Sequence, residues 1–335
     1  MDVVELSSQR PPERFYRGGA RIVAFRGLAG PVPSREPEDW VASTTTLFGE
    51  ASLGLSALPD GRLLSAAVAA DPLGWLGPAH LEAFGADTKL LVKLLDAGQR
   101  LPVHAHPHVS FAAGHLGRAH GKAEAWYILS GGVVHLGLRA DVGPAELSSL
   151  VASQDTDALL GLLHRIEVRP GDVVYVPPGV LHAIGEGVFL VEVQEPEDLS
   201  ILLEWKGFDL DGARDGHLGL GFDVALGAVE RTARTIEEIA LLVRPAGFGP
   251  QVLPEAAGEY FAIEHVAVSG EVRLEPGFAV LVVLAGTAAV MPTGGAEVSL
   301  DAGSTTVVPH SAGVLRVLGR AELLVCRPPS GATGA

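Results

Sequence analysis

The chain has 335 residues, 47% of them hydrophobic and 19% charged. That composition excludes extended disorder, and because single cores stop growing at roughly 250 residues it predicts two domains. The formal charge of −16 argues against nucleic acid and anionic membranes as partners, and Cys326, the sole cysteine, excludes intrachain disulfides and thiolate clusters, so any metal must be held by histidines and carboxylates.

Forty-two Gly and 23 Pro punctuate short runs rich in Val and Leu, which predicts many short strands joined by tight turns and a mainly β class. Residues 1–15 carry Asp2, Glu5, Arg10, Glu13 and Arg14 and lack the apolar core of a secretory signal. The most apolar stretches, 90–95 and 278–290, are short or broken by Lys93 or Gly286, under the ~20 residues of a membrane span. The expectation is a soluble, cytoplasmic monomer or homodimer whose partner is a small molecule.

Residues 90–95 predict a strand, Asp96-Ala97-Gly98 a turn, and 101–107 a second extended segment. A glycine-rich loop over 114–121 leads into a strand beginning at Glu124 and ending at Ser130-Gly131-Gly132. Leu147, Leu150, Val151, Leu159, Leu162 and Leu163 are spaced for two short helices, a helical insertion at about 144–165, after which the strand pattern resumes at Ile166. The phrase running from Arg169-Pro170-Gly171 to Pro177-Pro178-Gly179 reads as turn, strand, turn, followed by His182. It recurs, weakened, from Asp301 to Ser311, with Gly303 and Pro309 at one common offset from Gly171 and Pro177. Two barrels of one ancestry are implied. The same offset carries His182 onto Val314, so only the first copy keeps a histidine there. Residues 206–227 read as loop and 231–242 as a short helix. The expected division is an N-terminal metal-binding domain, 1–230, and a C-terminal domain, 231–330, that has lost its ligands.

In His104-Ala105-His106 two imidazoles one residue apart share a strand face and can chelate together. Glu124 on a neighbouring strand and His182 after a rigid proline turn complete three nitrogens and one oxygen. That set suits one divalent ion, Zn²⁺ first, with Mn²⁺, Fe²⁺, Co²⁺ or Ni²⁺ as alternatives. His-X-His alone is ordinary polar sequence. The order His-X-His-Pro, then Glu opening a strand, then Pro-Gly-X-X-His is the ligand order of the cupin barrel, and it predicts a double cupin, two β-barrel or jelly-roll domains.

The resemblance is narrower than cupins in general. The run 91–97, His106-Pro107, Gly121 to Leu129 and Pro170-Gly171-Asp172 through His182-Ala183 resemble class I mannose-6-phosphate isomerases of the short bacterial form. The likeness extends to about Trp205 and includes Trp40, similar to the family's early tryptophan before a strand. It implies one metal on His106, Glu124 and His182, with His104 filling a variable position, and an aldose–ketose isomerisation of a sugar phosphate through an enediol. It also implies that Glu192 lies near the reacting carbons and that Lys122 holds a sugar or phosphate oxygen. Three positions depart from the family pattern. Leu202 stands where an arginine is expected, Pro102 replaces a small hydroxyl residue, and His108 replaces an acidic one, with Lys206 a nearby cation that could substitute. Two alternatives follow from these departures: an isomerase of a non-phosphorylated sugar, and a non-catalytic, metal-containing sugar-binding cupin.

Overall fold

The computed structural model describes residues 1–247 and 249–330. The N-terminal half contributes β1 (Val4–Glu5), β2 (Glu38–Val41), β3 (Leu91–Asp96), β4 (His104–Ala105), β5 (Glu124–Ser130) and β6 (Gly132–Leu138). These are followed by β7 (Leu163–Val168), β8 (Val173–Val176), β9 (His182–Ile184), β10 (Phe189–Gln194) and β11 (Ile201–Leu202). Beyond them lie β12 (Val243–Arg244), β13 (Ala262–Leu274), β14 (Ala279–Pro292), β15 (Val298–Asp301), β16 (Thr305–Val308) and β17 (Leu315–Arg327). All pairings among them are antiparallel. The fold is mainly β, as expected, and no helix among the described residues is long and apolar enough to cross a membrane.

Two sheets face each other in the N-terminal half, one ordered β12-β8-β5-β10-β3-β2 and the other β11-β4-β9-β6-β7. In the first, β3 and β10 are buried along their whole length, because each has a covering layer on both faces. Val92, Leu94, Ala125, Tyr127, Val191 and Val193 share one apolar cluster with Phe261, Ile263, Val280 and Leu324 of the C-terminal half. The alternate positions, Lys93, Glu124 and Glu192, turn toward the interior of the barrel. The second sheet is backed by the predicted helical insertion, found as helices Pro144–Ser153 and Thr156–Gly161. Their Leu147, Val151 and Leu159 pack with Val103, Ala105, Leu181 and Ala183, the outward-facing neighbours of His104 and His182. The insertion thus fixes the strands that carry two of the histidines.

The C-terminal sheet is built on three long strands, β13, β14 and β17, and in β13 and β17 Gly270 pairs with Gly319, both at positive φ. The sequence repeat has a conformational counterpart: Gly171 and Gly303 both sit at the turn before a strand, with φ of 88° and 89°. Strand pairing crosses residue 230 twice, since Val4 pairs with Val307 and Val243 pairs with Val174.

Four local expectations need correction, the first being that 206–227 is loop throughout, since it holds short helices at Gly212–Asp215 and Phe222–Ala225. The glycine-rich segment expected as loop begins inside a helix, Val109–Leu116, whose Phe111, Ala112 and Leu116 pack on the second sheet's cluster. Gly114 lies on its open side, and left-handed Gly117 ends it by donating its N–H to the Ala112 carbonyl. The helix expected over 231–242 is only Ile236–Ala240, started by a reciprocal Thr235–Glu238 cap. Trp40 lies within β2 rather than before it.

Candidate metal centre and active-site cavity

His104 on β4 and His182 on β9 are direct cross-strand partners, and His106 follows β4 immediately. Gly179, at φ 85°, lets the proline turn fold back so that its N–H donates to the His106 carbonyl at 2.6 Å. The turn before His182 is thereby tied to His106. The three buried imidazoles offer ligand atoms within 4.8 Å of one another.

Their tautomers follow from their second nitrogens. Nδ1 of His104 lies 2.8 Å from the Pro102 carbonyl, that of His106 2.7 Å from the Leu199 carbonyl, and that of His182 2.9 Å from the Val180 carbonyl. A carbonyl only accepts, so each Nδ1 carries the proton and each Nε2 is left with its lone pair. The His182 Nε2 is buried and has no hydrogen-bond partner. Burial, reinforced by neighbouring charge, pushes the His104 ring well below its usual range, and burial together with Lys122 brings His106 to about 3. His104 and His106 are therefore poised as neutral metal ligands.

Glu124 completes the group from β5. Its Oε2 lies 3.0 Å from His106 Nε2 and its Oε1 3.3 Å from His182 Nε2, while the Trp126 indole donates to Oε1 at 3.1 Å. Burial alone would raise this carboxyl, but Lys122 and the imidazoles hold it well below the usual range. The site already draws positive charge: the Lys122 ammonium donates to His106 Nε2 at 2.9 Å and to Glu124 Oε2 at 2.6 Å. The donor set fits a divalent cation because converging lone pairs and a charged carboxylate in a dry site need one to offset them.

A cavity of about 230 Å³ opens over this group and is lined by His104, Lys122, Glu124, Glu192 and Leu202 among others. Glu192 is buried, and burial raises its carboxyl above the ordinary value despite Lys93 at 3.2 Å. Leu202 is 5% exposed and pairs with His104 in register, so the side chain at the departing position does face the cavity. Lys206 is exposed and is not among the lining residues, which removes it as a substitute cation. His108 is likewise outside the lining, whereas Pro102 is in it.

Among the lining residues that escaped the sequence reading are Arg14, Tyr16, Glu38 and Lys93. Glu38 accepts from Arg14 Nε at 3.0 Å, Tyr16 Oη at 2.7 Å and Trp40 Nε1 at 2.8 Å. Lys93 Nζ lies 3.7 Å from Glu38 and 4.6 Å above the Trp40 ring. A signal existed for Lys93, since one charge in an otherwise apolar strand must be paired inward.

The comparisons with known proteins agree with this architecture. No family model matches the chain. The mannose-6-phosphate isomerase ManA of Bacillus subtilis is 30% identical over 245 residues, covering 70% of this chain and 74% of that protein. The chain belongs to the mannose-6-phosphate isomerase family. Another family relative, GmuF of the same organism, is 28% identical over 327 residues, 94% of the chain and 96% of the relative. Among solved structures, the mannose 6-phosphate isomerase of Bacillus subtilis superposes with a TM-score of 0.70 at 23% identity, over 98% of this chain and all of that one. A mannose 6-phosphate isomerase solved with zinc and yttrium gives 0.74 at 15% identity, again over 98% of this chain and all of that one. The family fold therefore runs through the C-terminal half, beyond the part where the sequence resemblance is legible.

Proposed function

We propose that the chain is a metal-dependent aldose–ketose isomerase that interconverts mannose 6-phosphate and fructose 6-phosphate. The observation that carries this reading is the convergence of three proton-free imidazole nitrogens and the Glu124 carboxylate at the floor of a cavity that also holds Glu192. His104, His106, Glu124 and His182 would hold one divalent ion, zinc being the metal named in a solved relative. The first half of the chain, 1–230, supplies the whole ligand set, and the second, 231–330, supplies none.

When bound, the ion would polarise the sugar carbonyl and offset negative charge developing on the neighbouring oxygen. Glu192 is the base: it takes the proton from one of the two adjacent carbons and returns it to the other, while the accompanying hydroxyl proton moves between their oxygens. Burial favours this role by keeping its carboxyl more basic than in water. Lys122 orients a sugar oxygen beside Glu124. Leu95, Leu101, Ile184 and Leu202 line the cavity with apolar surface and limit water around the reacting carbons.

A coupled assay with mannose 6-phosphate tests the proposal, before and after exhaustive chelation. Activity should disappear on chelation and return with zinc, while far-UV circular dichroism and cooperative unfolding persist, because each half has its own apolar cluster. Full turnover after chelation overturns the metal role. Absence of turnover on phosphorylated and free sugars with metal bound leaves a sugar-binding protein instead.

A further inference from the structure

We infer that Arg14 is the phosphate-recognition residue of the cavity; this rests on the proposed sugar-phosphate chemistry and adds a residue to it. Three cations line the cavity: Arg14, Lys93 and Lys122. Lys122 is engaged with Glu124 and His106, and Lys93 with Glu192 and Glu38. Arg14 differs. Its Nε donates to Glu38, its ion-pair partner, and among the described residues its two terminal nitrogens make no hydrogen bond. Its side chain is 15% exposed. A largely buried guanidinium with both terminal amino groups unused is an incomplete donor set. Its planar fork matches two oxygens of a phosphate.

The residue is held for this role. The Arg14 N–H donates to the Arg35 carbonyl at 3.1 Å, and Arg35 Nε donates to the Arg14 carbonyl at 2.8 Å. Asp209 N–H donates to the Phe15 carbonyl at 2.9 Å. Glu38, fixed by Tyr16 and Trp40, sets the direction of the guanidinium through Nε alone. The need for such a cation is local: Asp198 and Asp215 also line the cavity, Leu202 offers no charge, and the chain as a whole is strongly acidic. A phosphate can enter only where a positive group with free donors meets it.

The test compares wild type with Arg14→Gln and Arg14→Lys, each zinc-loaded, on mannose 6-phosphate and on free mannose, with calorimetric binding of fructose 6-phosphate and of fructose measured alongside. Arg14→Gln should cost about ten- to a hundredfold in kcat/KM on mannose 6-phosphate, chiefly through KM. The loss on free mannose should be smaller. Arg14→Lys, which keeps the charge without the fork, should fall between. Fructose 6-phosphate binding should weaken in parallel and fructose binding should not. Equal losses on both sugars, or none on either, overturn the inference. Arg14-dependent binding of fructose 6-phosphate without turnover sustains it and overturns the isomerase reading; turnover independent of Arg14 does the reverse. If Arg14→Gln does not fold, Arg14→Lys decides, since it can still reach Glu38.

Discussion

Replacing Glu192 by glutamine separates its chemical role from its structural one. The substitution keeps the side chain's size and removes its negative charge. Removing one member of a buried ion pair usually costs about 3–5 kcal/mol because the other is left uncompensated. Here Lys93 keeps Glu38 at 3.7 Å and the Trp40 ring at 4.6 Å, so the stability loss should lie at or below about 3 kcal/mol, a shift of several degrees in Tm. The catalytic loss should be larger in kind. A positioned general base contributes roughly 10²–10⁴ in rate, which is about 3–5 kcal/mol on the barrier. The expected result is a kcat lower by that factor, a KM for mannose 6-phosphate close to wild type and a cooperative melt. A coupled spectrophotometric assay gives the first two and calorimetry the third. A kcat equal to that of wild type would refute the assignment of Glu192 as the base and leave it as the counter-ion of Lys93.

Elemental analysis should find one divalent ion per chain in wild type and its loss in His182→Ala, whereas His265→Ala and His310→Ala in the C-terminal half should retain it; retention by His182→Ala would sink the ligand set. Acid stability should register the cluster around Glu38. Burial works to raise that carboxyl, but Arg14, Lys93 and the hydrogen bonds from Trp40 and Tyr16 hold it well below the ordinary glutamate value of 4.5. Its contribution is therefore complete above the unfolded value and is lost as pH falls below it. Urea unfolding at a series of pH values should show a shallower decline below pH 4.5 in Glu38→Gln than in wild type; identical slopes would show that the charge does not survive burial.

The residues that converge at the proposed metal centre were legible because each sits in a short local pattern: a strand pair of histidines, a glutamate opening a strand, a histidine after a proline turn. The helical insertion was legible from leucine spacing. The helix at Val109–Leu116 was not, because Gly114 and Gly117 mimic a loop when counted, although one lies on an open face and the other ends the helix. Arg14, Tyr16 and Glu38 were not legible either. They reach the cavity only through the pairing of β2 with β3 and the anchoring of residue 14 by Arg35, contacts between segments that no local period connects. Pairing across residue 230 is hidden for the same reason.

Register is what joins these parts into one site. Trp40, Lys93, Glu192 and Trp126 form a single cross-strand row, and one step along it Gln194 pairs with Glu124. A slip of one residue in β10 would send Glu192 to the outer face and bring Val191 and Val193 inward. The outer face is covered by Phe261, Ile263, Val280 and Leu324, so a slipped strand would bury an unpaired carboxylate against apolar side chains, at a cost far above that of a lost surface contact. The C-terminal half thereby enforces the register that aims Lys93, Glu124 and Glu192 into the cavity.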